Sequence, residues 1–165
     1  MMLEKEVNFA QIVLESAREN FETMVFMAIE EVTEPGQSIK GASLMGTVTF
    51  KQALEGCFSI ACSKDCAHAI ALNMLGMDPS EELSDEEVCD ALGEVTDLIM
   101  GSIKKNLHEY IDDLIVSAPR VVSGKTLNHN TDEAFEQVIV HLNIEDEYWA
   151  QLTMSYRDNV NCQMA

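Results

Sequence analysis

The chain has 165 residues, and its 29 acidic against 10 basic side chains give a formal net charge of −19 at pH 7. This balance excludes ordinary nucleic-acid binding, which depends on lysine and arginine at the phosphate backbone, and it argues against docking on an anionic membrane. With 47% hydrophobic residues, we expect a single domain with a full core over residues 1–165. No run of about 18 apolar residues occurs, so no membrane span is predicted.

The start of the chain and its cysteines indicate a compartment. Residues 1–6 lack the basic start and the apolar run of a signal peptide, so we expect a cytoplasmic protein. The five cysteines are odd in number and irregularly spaced. In the cytoplasm this pattern predicts reduced, mostly buried thiols. Cys62, Cys66 and His68 invite a zinc interpretation, but no second Cys or His pair lies at finger spacing. We therefore expect neither a metal site nor a cofactor of the chain's own.

Hydrophobic periodicity and turn residues divide the first half of the chain. An apolar side with a 3.6-residue period predicts a first helix over about residues 7–29. Segments rich in Val, Thr, Phe and Ile, joined by a short connection, predict a hairpin of strands 42–50 and 54–63. A second helix is expected at 64–75, where Gly76 stops it.

The second half opens on a helix start signal. Ser84 followed by Glu87 forms a capping box, which begins a long helix that runs to about Tyr110. The elements after it are a strand at 121–122, a loop at 123–132, and two long antiparallel strands at 135–143 and 148–156 that alternate apolar and polar residues.

The order of these elements predicts the fold class. Runs of strands separated by helices favour the α+β class, with one antiparallel sheet and long helices packed on one face. Helix-plus-strands occurs twice, which suggests a loose internal duplication. The last two long strands are expected to leave an edge of the sheet exposed.

The long helix that begins at Ser84 has two distinct sides. At 100° per residue its apolar members fall within about 80° of one another; they are Val88, Leu92, Val95, Ile99 and Ile103. The opposite arc, here called the acidic stripe, consists of Asp90, Glu94, Asp97, Gly101 and Lys104. Like charges at these spacings cost about 0.2–0.5 kcal/mol per pair and a helical glycine roughly 1 kcal/mol. The stripe is therefore either a solvated face or a surface for a partner, while one helix face offers too few oxygens for Mg²⁺ or Ca²⁺.

The segment from Gly93 to Leu107, with the later Ala118-Pro119, resembles the chemotaxis phosphatases CheX and CheC, whose family includes FliY. The family signature is an acidic or serine residue, three residues, Glu, two residues, Asn, and a Pro some twenty residues later. Asp90, Glu94 and Pro119 fill three of these places here, with 21 residues between Asp97 and Pro119. The resemblance implies a CheX/CheC-like fold and a CheY-like receiver domain as partner.

The resemblance also implies a role for each residue of the signature. Glu94 pairs with the lysine beside the phospho-aspartate of the receiver, and Asp97 takes the place of the residue that orients the attacking water. Asp90 supports Glu94, Gly101 permits close docking, and Pro119 helps to shape the site. Mg²⁺ is expected on the receiver partner and not on this chain.

One departure from the signature bears on activity. Asp97 stands where the family has asparagine, and an ionised carboxylate accepts hydrogen bonds but cannot donate them. At about 5 Å and an effective dielectric constant of about 20, its charge and that of the phosphoryl group repel by roughly 3 kcal/mol, or about 100-fold in rate. Three hypotheses stay open: a receiver phosphatase, a catalytically degenerate receiver-binding adaptor, and an acidic α+β homodimer unrelated to signalling.

CheC-type relatives carry a second site on the first helix. The equivalent places here hold Gln11, Glu15 and Arg18, so that only the glutamate is kept and no second active site is expected. This favours a CheX-like protein. Since CheX relatives dimerise by joining their sheets, a homodimer through sheet edges is implied.

Overall fold

The computed structural model describes residues 7–33, 43–124 and 134–159. Its described helices are α1 (Phe9–Asn20), α2 (Lys64–Leu75) and α3 (Asp85–Leu107). Its described strands are β1 (Ile29–Glu31), β2 (Ser43–Lys51), β3 (Leu54–Ser63), β4 (Ile115–Val116), β5 (Arg120–Gly124), β6 (Glu136–Ile144) and β7 (Tyr148–Asp158). These seven strands form one antiparallel sheet, which confirms the predicted α+β class. None of the described helices is long and apolar enough to cross a membrane.

The sheet has the same plan when it is followed inward from either edge. Its order is β1-β6-β7-β3-β2-β4, and β5 also pairs with β2. From each edge, a short strand that follows a long helix leads to the first and then the second strand of a hairpin. The hairpins β2–β3 and β6–β7 meet at the central β3–β7 pair. This symmetry is what the expected loose internal duplication would produce.

The helices cover one face of the sheet because alternate strand residues point toward them. On β2, the alternate residues Leu44, Val48 and Phe50 are buried in the same apolar cluster as Leu92 and Ile99 of α3. On the other face of the same strand, Thr49 is exposed. The helical layer therefore rests on the apolar side of the sheet, as predicted.

Helix α3 begins, and helix α2 ends, where the cap residues predict. Ser84 Oγ accepts a hydrogen bond from the Glu87 amide at 3.1 Å, and Glu87 Oε1 accepts one from the Ser84 amide at 3.2 Å. This confirms the capping box. Gly76 ends α2 with a left-handed φ of 64°, a conformation that costs glycine little. Helix α3 ends at Leu107, slightly earlier than expected.

The first helix is shorter than predicted. After Asn20 the chain makes a single π-helical turn over Phe21–Val25 and ends at Phe26, which has a left-handed φ of 60°. The backbone amides of Phe26 and Met27 both donate to the Phe21 carbonyl, which closes the turn. The predicted helix over residues 26–29 is therefore wrong, because the chain turns there to form β1.

A polar seam joins α1 to α3. Asn20 Nδ2 donates to Ser102 Oγ at 2.9 Å, and Asn106 Nδ2 donates to Ser16 Oγ at 3.0 Å. Each helix thus contributes a serine and, one turn later, an asparagine, and the two pairs bond reciprocally. The arrangement satisfies side chains that burial would otherwise leave unpaired, and it fits a two-fold relation between the helices.

Two expectations about the second half of the sheet need correction. Of strands β6 and β7 only β6 can contribute to an edge, because β7 lies between β6 and β3, and the short β1 pairs with β6 at Leu142–Ile144. Ser123 and Gly124 were expected in a loop, but they belong to β5, where pairing with β2 keeps the backbone extended. The rest of that expected loop, 125–132, lies outside the described residues.

Candidate functional site

Helix α3 has the two faces that its sequence predicts. The five residues of the apolar side are buried: Val88, Leu92, Val95, Ile99 and Ile103. The five residues of the acidic stripe are exposed: Asp90, Glu94, Asp97, Gly101 and Lys104. The carboxylates therefore face away from the core of this chain and are accessible to another molecule.

The acidic stripe borders a groove. A cavity of about 480 Å³ is lined by Cys89, Asp90, Gly93, Glu94, Asp97, Pro119 and Val121. Four of the five residues that the sequence singled out therefore come together, although 21 residues separate Asp97 from Pro119 along the chain. Gly101, the fifth, lies one turn beyond the groove on the same side of α3.

Sheet pairing brings Pro119 to the helix. Strand β5 pairs with β2 so that Val121 lies opposite Gly46, on the side of the sheet that α3 covers. A β-carbon on Gly93 would lie 3.5 Å from Val121 Cγ2 and 3.8 Å from Pro119 Cβ. The α3 backbone therefore lies close to the start of β5, and this contact forms the wall of the groove.

The groove is acidic and its charges are not neutralised within the described chain. Asp90, Glu94 and Asp97 make no ion pair with a residue of 7–33, 43–124 or 134–159. Lys105, near the end of α3, is bound instead to Glu19, with Nζ 2.8 Å from Oε1. The groove therefore attracts a cationic side chain or a cation carried by a partner.

The two cysteines that invited a zinc interpretation lie in the core. No group of three or more His, Cys, Asp and Glu side chains there is placed to hold a metal ion. Cys62 and Cys66 are fully buried. A hydrogen bond with Cys66, followed by burial, raises the pKa of the Cys62 thiol well above its usual value. The Cys62 thiol is therefore protonated at neutral pH, as expected for a cysteine in the core.

Helix α1 carries the three residues that stand at the places of the second site of CheC-type relatives. Gln11, Glu15 and Arg18 are all exposed on α1. Gln11 Nε2 donates to Glu15 Oε1 at 2.8 Å, so the glutamate is engaged by its own helix. The described residues of α1 supply no amide at the water-orienting place.

Sequence reasoning assigned no role to three residues of the groove: Cys89, Gly93 and Val121. A glycine inside a helix is a signal of close backbone approach, and Gly93 carried that signal. Cys89 and Val121 carried none, because their place in the groove depends on how β5 pairs with β2.

Comparison with known proteins places the chain in a family. The model of the chemotaxis phosphatase CheX family matches residues 44–143, which include α3 and the start of β5. The chain belongs to the CheX family. A search of curated protein sequences found no significant match.

Solved structures share the fold. The chemotaxis protein CheX from Vibrio vulnificus is 25% identical, with a TM-score of 0.77 over 92% of this chain and 97% of that one. A CheX–CheY complex with BeF3 and Mg²⁺ from Borrelia burgdorferi is 19% identical, with a TM-score of 0.69 over 93% and 100%. FliY from Thermotoga maritima is 17% identical, with a TM-score of 0.62 over 94% and 90%.

Proposed function

We propose that this chain binds a phosphorylated CheY-type receiver domain and promotes hydrolysis of its aspartyl phosphate. The observation that carries the proposal is the exposed groove in which Asp90, Glu94, Asp97 and Pro119 meet. Membership in a chemotaxis phosphatase family supports it, and a family relative has been solved in complex with CheY. The acidic charge of the groove suits a receiver surface that presents a lysine.

Glu94 and Asp97 have different roles in this proposal. Glu94 pairs with the lysine beside the phospho-aspartate and fixes the docked position. Asp97, one turn further along α3, accepts a hydrogen bond from the water that attacks phosphorus in line. No covalent intermediate forms on this chain, so its contribution is the positioning of one water. The Mg²⁺ that the receiver carries supplies charge stabilisation to the transferring phosphoryl group.

Three other residues support this pair. Asp90 lies one turn before Glu94 and strengthens the negative potential that attracts the receiver lysine. Pro119 closes the opposite wall of the groove. Gly101 offers bare helix backbone, which allows the receiver to approach closely.

A second function, receiver binding without turnover, is favoured by one observation. Asp97 is exposed, and its carboxylate has no ion-pair partner in the described part of the chain. An ionised Asp97 would repel the phosphoryl group that it serves. The chain would then be an adaptor whose binding to the receiver depends on whether the receiver is phosphorylated.

Phosphate release from a phosphorylated receiver, measured with and without the protein at fixed Mg²⁺, tests the proposal. The phosphatase account predicts faster release than the receiver's own rate. Binding without acceleration would support the adaptor instead. Absence of both binding and acceleration, across the receivers of the same cell, would remove both functions.

We also propose that the protein works as a single-domain homodimer in the cytoplasm, with the two sheets joined at their edges. The described edges are β1 and the part of β6 beyond it on one side and β4 with β5 on the other, and Val122 of β5 is exposed. An exposed strand can pair with a second copy. Sedimentation equilibrium of the full chain tests this, and a monomer at all concentrations would contradict it.

A further inference from the structure

One side of α3 carries a negative and a positive side chain, Asp97 and Lys104, separated by the bare backbone at Gly101. Asp97, Gly101 and Lys104 fall within about 60° of one another at 100° per residue, and Asp97 and Lys104 are about 10 Å apart along the axis. A β-carbon on Gly101 would meet no atom within 4 Å. A carboxylate and an ammonium thus border a stretch of bare helix backbone.

The two lysines at this end of α3 have different surroundings. Lys105 is bound to Glu19 on α1 at 2.8 Å. Lys104 is exposed, and it has no ion pair within residues 7–33, 43–124 and 134–159. Helical side chains lean toward the N-terminus of their helix, so the reach of Lys104 covers the space above Gly101. Lys104 is therefore available to a docked molecule, whereas Lys105 is committed to the α1–α3 contact.

We propose that Lys104 contacts the phosphoryl oxygens of the docked receiver across the open space at Gly101. This inference rests on the proposed function and adds a substrate-binding residue to it. Asp97 brings a negative charge to a site whose substrate is itself negative, and Lys104 is the cation on the same side of the helix. Its ammonium attracts the phosphoryl oxygens and so offsets the repulsion by Asp97.

The affinity of the receiver, measured with Mg²⁺ in the presence and absence of beryllofluoride, tests this contact. Beryllofluoride stands in for the phosphoryl group on the receiver aspartate. K104Q should weaken binding of the beryllofluoride-loaded receiver by about 5- to 10-fold, as expected for a charge-assisted contact that is partly desolvated on docking. Binding of the unloaded receiver should change by less than about twofold, since its surface charges are otherwise the same.

Matched variants separate this role from general charge. K105Q removes the same charge from the neighbouring position and should leave both affinities unchanged. K104R keeps the cation and should restore binding of the loaded receiver. K104Q should lower the rate of phosphate release by a larger factor in the wild-type background than in the D97N background. The reason is that the D97N variant lacks the negative charge that Lys104 offsets.

Two results would overturn the contact and leave the proposed function intact. Equal losses with loaded and unloaded receiver would mean that Lys104 meets a fixed carboxylate on the receiver surface. No loss in either state would mean that it does not touch the receiver. If the wild-type protein binds neither form of any receiver, the proposed function fails and the role of Lys104 fails with it.

Discussion

Gly46 and Thr96 hold helix α3 directly against the sheet. A β-carbon on Gly46 would lie 2.1 Å from Thr96 Oγ1, and that hydroxyl already donates to the Leu92 carbonyl at 2.7 Å. The missing side chain on β2 therefore sets how closely α3 approaches. Because the acidic stripe lies on the opposite side of the same helix, this contact also sets the position of the groove relative to β5.

Gly46→Ala should lower the free energy of unfolding by about 1–3 kcal/mol, since the added methyl group overpacks a contact with little space. Thr96→Ala in the same background should restore part of the loss, because it removes the oxygen that the new methyl group meets. Urea unfolding of the two single variants and the double variant checks this. Additive losses in the double variant would show that the two residues do not meet.

Gly101→Ala should separate stability from binding. The variant should gain about 0.5–1 kcal/mol of unfolding free energy, because alanine favours a helix and the added carbon meets nothing. Receiver affinity should fall by about fivefold or more, since overpacking a close contact costs roughly 1 kcal/mol or more. Calorimetric titration and thermal unfolding measure the two effects.

Gly76→Ala is the matched control for that experiment. Gly76 ends α2 with a φ of 64°, away from the acidic stripe. The variant should lose about 1 kcal/mol of stability while receiver affinity stays unchanged. If Gly101→Ala left the affinity unchanged as well, the receiver would not approach that part of α3.

Asp97→Asn should raise the rate of phosphate release by about tenfold or more, since it removes a repulsion that can cost up to about 100-fold. The amide also donates to the phosphoryl group or the water, which an ionised carboxylate cannot do. Glu86→Gln, which removes one charge from the first turn of the same helix outside the groove, should have little effect. A slower Asp97→Asn variant would show that the carboxylate itself takes part in the reaction.

Tyr156 should make stability sensitive to alkaline pH. Burial, followed by a hydrogen bond with Glu136, raises the pKa of Tyr156 from 10 to about 12. The centroid of its ring lies 4.1 Å from that of the Phe9 ring. Folding favours the neutral phenol, so its contribution is complete below pH 10 and is lost as the pH rises toward about 12. Between these values the wild-type protein should lose stability more steeply than Tyr156→Phe, and parallel curves would contradict this assignment.

Local signals in the sequence predicted the parts of the fold that local contacts determine. The capping box at Ser84 and the stop at Gly76 were predicted correctly because their hydrogen bonds involve neighbours in sequence. The two faces of α3 were predicted for the same reason, since a helix imposes its own period. The first helix was predicted too long because Val25 and Met27 are both buried, so apolar character continues past the point where the backbone turns.

The parts that sequence reasoning missed depend on distant pairings. Strand β1 exists because it pairs with β6, more than a hundred residues away. The groove wall formed by Val121 depends on the pairing of β5 with β2. Pro119 was connected to the acidic stripe through family resemblance, whereas nothing in its local sequence places it beside Asp90.

Amide chemical-shift mapping of the ¹⁵N-labelled protein with a beryllofluoride-loaded receiver and Mg²⁺ tests the docking surface most directly. The proposed function predicts shifts along the exposed side of α3, from Asp90 to Lys104, and at the start of β5 near Pro119. Exposed residues on the face of the sheet away from the helices, such as Ile139 of β6, should not shift. Perturbations confined to that face, or none at all, would contradict docking on α3.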